Sequence, residues 1–455
     1  MRLNPAISLR RRGSNQRGSV LVIVLWVALG LVAITLYFAN SMSLELRASD
    51  NRACGVAADQ AIEAAARYAT YVLTTRGTNG AVPDYTTYYR EAMSVGNAPA
   101  PEGNAHFWFI GRSYDSKITQ TQPFFGLVDE GSKLNLNTAS TNILEMLPRM
   151  TSDLADGIVQ WRSTNGSSQT YGMLHPPYQC KSTNFETVDE LRLVYGANMD
   201  ILTGEDVNRN GVLDPDEYED NRNNLADPGL LEYLTVYTRE PNTRSDGSPR
   251  INLSSAGGQG ISSELVSLLQ TNLGTVRANQ ILVNLGGVAT FRSPLQFFMR
   301  SKMTSDEFTK IANDITASSG TYIYGRVNVT TASPTVLSCL PGMTTDLAQQ
   351  LISYRESNPD SATNSIAWLV DALGQNNNSI LQQLGAGDFL TVQSYQFTAD
   401  IAALGPYGRG YRRVKYVFDV SGGTPNIIFR QDLSHLGWAL GRDVRQTWLV
   451  AKRTQ

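Results

Sequence analysis

Residues 19–39 read SVLVIVLWVALGLVAITLYFA, a run of twenty-one residues without a charge. As a helix it is about 32 Å long, enough to cross the hydrocarbon core of a bilayer. Arg2, Arg10, Arg11, Arg12 and Arg17 precede it with no acid among them; mixed charges (Glu45, Arg47, Asp50, Arg52) follow. That asymmetry predicts that residues 1–18 stay in the cytoplasm and the body lies outside. A cleaved secretory signal has a shorter apolar core, roughly 7–15 residues, and ends at a small-x-small site. Here the helical pattern runs on instead. Residues 41–75 hold no proline, and Ala57, Ala61, Ala64, Tyr68 and Tyr71 recur at spacings that put them on one helix face. The expectation is one helix, half in lipid and half in a soluble domain.

The body is too long for one ordinary core: the chain has 455 residues. With 42% apolar and 17% charged residues it is neither largely disordered nor polytopic. Net charge is -3, and setting the leader arginines aside leaves an acidic body. That argues against nonspecific nucleic-acid binding, which needs clustered Lys and Arg. The three Cys and three His form neither CxxC nor HExxH, so a zinc site has no support. Cys180 and Cys339 are open to pairing or to burial as thiols. No GxSxG occurs, and with so few candidate bases the chain is expected not to be an enzyme.

Residues 106–114 (HFWFIGRSY) and 123–129 (PFFGLVD) read as strands, as do 394–403, 412–420 and 426–430, with SGGT at 421–424 marking a turn. Residues 77–104 read as loop, and the region from about 131 to 388 reads mostly helical. Within it, LNLNTASTNILEMLPRMTSDLADGIVQWR (134–162) aligns without a gap to VNVTTASPTVLSCLPGMTTDLAQQLISYR (327–355), with thirteen of 29 positions identical. A weaker third copy begins at Ile251 (INLSSA). Each reads as strand end, Ser or Thr cap, helix, Leu-Pro turn, helix, which resembles the helix-hairpin-helix motif. That motif often holds DNA phosphate on a glycine hairpin. Here the first hairpin has Arg149 where the later copy has Gly342, and the surroundings are acidic, so a packing role is expected and no nucleic-acid partner.

Residues 206–217 read DVNRNGVLDPDE and match D-x-[DN]-x-[DN]-G-x5-E at every defined position. Calcium takes six to eight oxygens, which a twelve-residue loop can wrap round one ion. Asp206, Asn208 and Asn210 would offer side-chain oxygens and Val212 its carbonyl. Asp214 would act directly or through water, and Glu217 would close the site with both oxygens. Gly211 permits the sharp turn. The flanks do not read as a helix pair, so a lone structural loop is expected. Asp216, Glu219, Asp220 and Asp227 follow closely; they could hold a second ion, and read rather as solvated charge.

Gln16-Arg17-Gly18-Ser19 ahead of the apolar run resembles a type IV prepilin leader. The resemblance implies cutting by a prepilin peptidase between Gly18 and Ser19, and methylation of the new N-terminus. Most members of that family have Glu at the fifth mature position, where this chain has Ile23. Together with FGLVDEGSKLNLNTAS (125–140), PPYQCKSTNFETVDELRLVYG (176–196), GEDVNRNGVLDPDE (204–217) and YLTVYTRE (233–240), the chain resembles minor pseudopilin K of the type II secretion system. That implies an α+β pseudopilin fold, a long N-terminal helix plus antiparallel sheet, with a large inserted α-domain and bound calcium. It implies assembly with minor pseudopilins of the I and J types and the major pseudopilin, at the tip of a pseudopilus. The location implied is the inner membrane, with one span and a periplasmic body. A membrane-anchored helix-hairpin-helix DNA receptor and a type IV pilus minor pilin are the alternatives. The organisation expected is a leader (1–18), the transmembrane half of the helix (19–40), its periplasmic half (41–76), a first pilin-like segment (77–130), the inserted α-domain (131–388) and a second pilin-like segment (389–455).

Overall fold

The computed structural model describes residues 17–83, 92–112, 123–164, 166, 169–254, 261–286 and 290–453. The leader up to residue 16, residues 113–114 of the first expected strand and residues 255–256 of the third repeat lie outside the described residues. Helix α1 (Arg17–Arg76) runs unbroken for 60 residues, as the lack of proline permits. Its first half is exposed along its whole apolar length, Ile23 included, so this half has no protein core to enter. Its second half lies on a six-stranded antiparallel sheet.

The strands of that sheet are β1 (Met93–Val95), β2 (Ala105–Ile110), β3 (Val128–Asp129), β4 (Gln396–Gly405), β5 (Arg409–Asp419) and β6 (Asn426–Asp432). Their order is β1-β2-β4-β5-β6, with β3 continuing the β2 side of β4. Alternation sorts the two faces. Phe107, Phe109, Phe397, Ala399, Ile401, Val414, Tyr416 and Phe418 meet Ala58, Ala61, Ile62, Ala65, Ala69 and Leu73 of α1. Trp108, Ile110, Phe125, Ala402 and Leu404 face the other way, onto Leu440 and Trp448 of the C-terminal segment.

The helix face that meets the sheet is rotated from the expected one. Of Ala57, Ala61, Ala64, Tyr68 and Tyr71, only Ala61 is fully buried, and Tyr71 is 62% exposed. The buried line runs instead through Cys54, Ala58, Ala61, Ile62, Ala65, Ala69, Val72 and Leu73. The small residues let helix and sheet approach closely, and the tyrosines ride the edge. The closest approach is at the β4–β5 turn. A Cβ on Gly405 would come 2.1 Å from the Cys54 carbonyl oxygen, and one on Gly410 (φ +68) 2.6 Å from the Gly55 nitrogen.

The segment expected as loop at 77–104 contains β1, which pairs with β2. The inserted region is mostly helical as expected, but it also holds two-residue strands that close it into modules. Leu134–Asn135 pairs in parallel with Leu234–Thr235, Ile251–Asn252 with Ile315–Thr316, and Val327–Asn328 with Leu390–Thr391. The entering strand always ends in Asn, whose Oδ1 accepts the N–H two residues on, at Asn137, Ser254 and Thr330. The returning strand always ends in Thr, whose Oγ1 accepts the N–H of Tyr237, Ser318 or Gln393. One hydrophobic core runs through all three modules.

The long repeat has matching geometry in its two copies. Arg162 donates to the carbonyls of Leu136 and Ala139, and Arg355 to those of Val329 and Ala332. The hairpin turns at Arg149 (φ 62) and Gly342 (φ 78) share the left-handed conformation. The middle copy turns at Gly274 (φ 81) between the helices Ser263–Leu273 and Thr275–Leu285. Cys180 and Cys339 do not form a disulfide: the Cys180 thiol donates to the Gln160 and Trp161 carbonyls, and the Cys339 thiol to that of Thr335.

Candidate metal centre

The loop predicted to bind calcium leaves the first module after the short helix Met199–Thr203 and returns at Leu230–Tyr233. Asn198 caps that helix through the Ile201 N–H, and Gly204 (φ 64) ends it. Gly204 also makes the neck of the loop. Glu205 N–H donates to the Asp227 carbonyl (2.9 Å) and Gly229 N–H to that of Thr203 (2.8 Å). A Cβ on Gly204 would lie 2.3 Å from the Asp227 oxygen, so the two chain passages could not meet there with any other residue.

Inside residues 206–217 the predicted groups converge. Asp206 accepts the N–H groups of Asn210 and Gly211, both at 2.8 Å. Glu217 accepts those of Asn208 (3.1 Å) and Asp214 (3.0 Å) with its two oxygens. Asp214 Oδ2 accepts both Asn208 Nδ2 (2.7 Å) and Asn210 Nδ2 (2.8 Å), and Asn210 Oδ1 accepts the Val212 N–H (2.9 Å). Arg209 (φ 58) and Gly211 (φ 82) take the left-handed turns that fold the ring. The flanks are not an EF-hand helix pair, as expected: Pro215 and Asp216 form a turn and no helix follows until Leu230–Tyr233.

Asp206, Asn208, Asn210 and Asp214 are all buried, with Arg112, 3.7 Å from Asp206, as a counter-charge on one side. Burial pushes the carboxyls of Asp206 and Glu217 above the usual range. Asn208 Oδ1 is buried and has no hydrogen-bond partner. A cation bound here would offset both costs. The three carboxylates do not form a cluster by themselves; among the described residues no group of three His, Cys, Asp or Glu is close enough to hold a metal. The neutral oxygens of Asn208, Asn210 and the Val212 carbonyl would complete the set, and an all-oxygen set of this size suits Ca²⁺ rather than zinc.

The next segment, read from sequence as solvated charge, is more ordered than that reading allowed. Residues 219–227 repeat the network of the first loop. Asn223 Oδ1 accepts the Leu225 N–H (2.7 Å) as Asn210 does for Val212. Asn221 and Asn223 both donate to Asp227 Oδ2 as Asn208 and Asn210 do to Asp214. Glu219 accepts the Asn224 N–H (2.7 Å), and Arg222 (φ 60) and Asn224 (φ 59) occupy the left-handed positions. The carboxylate that closes this ring comes from outside it. Glu205, 3% exposed, accepts the N–H groups of Asp220 (2.7 Å) and Asp227 (3.1 Å). Asp220 in turn binds Arg149 at the first hairpin (2.9 Å). Asp216 keeps the exposure expected of it.

Sequence reasoning missed Glu205, because its partners are 15 and 22 residues away. It also missed two arginines behind the first loop, Arg112 and Arg413. Arg112 Nη2 donates to the Arg209 carbonyl (2.9 Å) and lies 3.7 Å from Asp206, while its Nε is 2.8 Å from Glu232. Gly18 and Ser19, between which cleavage is expected, stand at the start of α1, in continuous helix.

Residues 129–188 match a family model described as helix-hairpin-helix motif, which covers the first of the paired repeats. No curated protein matches the chain. Among solved structures, the chain is similar to "The Crystal Structure of the GspK-GspI-GspJ complex from enterotoxigenic Escherichia coli Type 2 Secretion System", at 11% identity and a TM-score of 0.39, over 82% of this chain and 96% of that one. At that identity and score the likeness stands as a similarity only. The α+β arrangement itself, a long N-terminal helix on an antiparallel sheet with an inserted helical domain, rests on the helix, the sheet and the modules described above.

Proposed function

We propose that the protein is a minor pseudopilin that ends a type II secretion pseudopilus, anchored in the inner membrane by residues 19–39 with its body in the periplasm. The observation that carries this reading is α1. One uninterrupted helix is apolar and exposed for its first half, and serves as the packing helix of an antiparallel sheet for its second. Three further features support the terminal position. The inserted modules add bulk to the sheet that a repeating subunit would have to accommodate above itself. Ile23 supplies no carboxylate to neutralise a neighbour's N-terminal amine in the apolar core, where an unpaired charge is costly. The loop at 206–217 is suited to Ca²⁺, with Asp206, Asn208, Asn210, Val212, Asp214 and Glu217 as its oxygen donors.

The role is assembly rather than catalysis, and the partners are other minor pseudopilins of the I and J types together with the major pseudopilin. The DNA-receptor reading is weaker. The hairpin turn at Arg149 is held by Asp220, and a Cβ on Gly342 would meet the Gln383 side chain at 2.9 Å. The Arg149 turn is half-buried and tied within the protein, whereas Gly342 is exposed; what weighs against the receptor is the acidic body rather than cover of the turns.

Crosslinking in native membranes tests the proposal. The expected result is capture of two different minor pseudopilins, with the purified protein monomeric on its own. A homopolymeric filament, or no pseudopilin captured, would overturn it. A gel shift with duplex DNA that is tight at low salt and collapses with added salt would favour the receptor.

A further inference from the structure

We infer that Arg413 is a positioning residue for the 206–217 loop, and that an ion held there ties the inserted domain to the sheet. This rests on the calcium reading above. Arg413 lies on β5 and is fully buried. Its guanidinium faces two ways. Nε and Nη2 pair with Asp400 on the neighbouring strand β4 at 2.9 and 2.6 Å. Nη1 donates to the Asn208 carbonyl, and Nη2 also donates to that of Arg209 (2.9 Å). The ion pair with Asp400 matters, because it cancels the positive charge that would otherwise repel a cation in the loop.

The peptide units Arg413 holds are the ones that shape the site. The peptide joining Arg209 to Asn210 has its carbonyl on Arg413 and Arg112, and its N–H on Asp206 Oδ1. It is fixed at both ends, outward to the sheet side and inward to the first ligand. The preceding peptide has its carbonyl on Arg413, and the Asn208 side chain, whose Oδ1 is the unpartnered oxygen, leaves from the same residue. Asn208 Nδ2 also reaches the Trp438 carbonyl (3.2 Å) in the C-terminal segment. The positions of Asp206 and Asn208 are therefore set by groups some 200 residues along the chain. Linkage is reciprocal: what the sheet contributes to calcium affinity, calcium returns to the loop–sheet seam.

The test uses the full chain in detergent. Amide hydrogen exchange is followed by mass spectrometry in millimolar Ca²⁺ and in chelator, with calorimetric titration of Ca²⁺ alongside. Calcium should slow exchange in the loop and also in β5, β6 and residues 433–440. Arg413→Lys keeps a charge for Asp400 but loses the fork that spans two carbonyls. It should bind Ca²⁺ about tenfold more weakly, as loss of an orienting outer-shell partner does, and lose the calcium-dependent protection of β5 and β6. No calcium binding by the parent would overturn the metal assignment itself. Binding with protection confined to the loop would leave that assignment standing and overturn this inference. Unchanged affinity in Arg413→Lys would remove Arg413 from the site. The comparison on the parent alone decides the coupling, so the proposal remains open to refutation even if the variant fails to fold.

Discussion

The paired carbonyl clamps make a prediction whose size follows from the geometry. Arg355, at the C-terminal end of the helix Thr345–Ser357, reaches back to the Val329 and Ala332 carbonyls at 3.1 and 2.8 Å. Val329 and Ala332 are fully buried. Arg355→Met keeps the length of the stem and removes the donors. Two buried carbonyls then lose a charged partner, at about 1–3 kcal/mol each. Arg355 is itself half-buried, so water can reach part of the gap, and the lower half of that range, about 2–4 kcal/mol in total, is expected. For a unit of this size each kcal/mol lowers Tm by about 2–4 °C, so the transition that carries the module should fall by about 5–15 °C in scanning calorimetry. Arg355→Lys, which can serve only one carbonyl well, should recover part of the loss. Arg162→Met should behave alike in the first module, whereas Arg300→Met, on an exposed helix position, should move Tm very little. A melting curve for Arg355→Met within a degree of the parent would refute the clamp, as would equal losses from Arg300→Met.

Mass spectrometry of the membrane-extracted protein should find Ser19 at the N-terminus, and a bulky residue in place of Gly18 should leave the precursor uncut. Calcium should raise the melting temperature, by the equivalent of about 2.7 kcal/mol at a hundredfold excess over Kd, and Glu217→Ala or Asp206→Ala should abolish the rise. Because burial lifts the Asp206 and Glu217 carboxyls above the ordinary range, calcium affinity should fall on acidification earlier than ordinary carboxylates would dictate; titrations at a series of pH values read this directly. Where β3 meets Asn328, Thr331 and Ser394, burial pushes the Asp129 carboxyl up to about 6, against the hydrogen bonds from Thr331 and Ser394. Its folded value lies above its unfolded one, so its contribution to stability is full below the unfolded pKa, near pH 4, and is lost as pH rises through 6. Asp129→Asn should flatten that slope in denaturant titrations.

What sequence alone could reach depended on how far apart the cooperating residues lie. The long helix and the 206–217 loop are contiguous patterns and stand where their patterns put them, while the strands do so in part: of the expected 123–129 only β3 (Val128–Asp129) is strand. β5 begins at Arg409 rather than 412 because Gly405 and Gly410 let the turn fold back against α1, a contact no local pattern encodes. The buried helix line runs through Ala58, Ala61, Ala65 and Ala69 rather than Ala57, Ala64 and Tyr68, because helical spacing alone does not fix which of two adjacent positions meets the sheet. The module closures escaped because two-residue strands have no periodicity, although the recurring Leu-Thr or Ile-Thr at 234–235, 315–316 and 390–391 is a signal once the pairing is known. Arg413 and Glu205 offered no signal at all, since their roles exist only after distant segments meet.

The parallel pairing that closes each module places its last residues beside its first. Leu134 lies opposite Leu234, Ile251 opposite Ile315 and Val327 opposite Leu390, so the chain leaves each module about 4.8 Å from where it entered. A unit with adjoining ends is a graft that needs no change in its host: it can be enlarged, trimmed or duplicated while the segments on either side keep their places. The ion loop, necked at Gly204 and Gly229, is the same device at a smaller scale, set inside the first module. Variation in the length of such a chain would then come in whole closed units, and the sheet beneath would carry loads of different bulk on an unchanged footing.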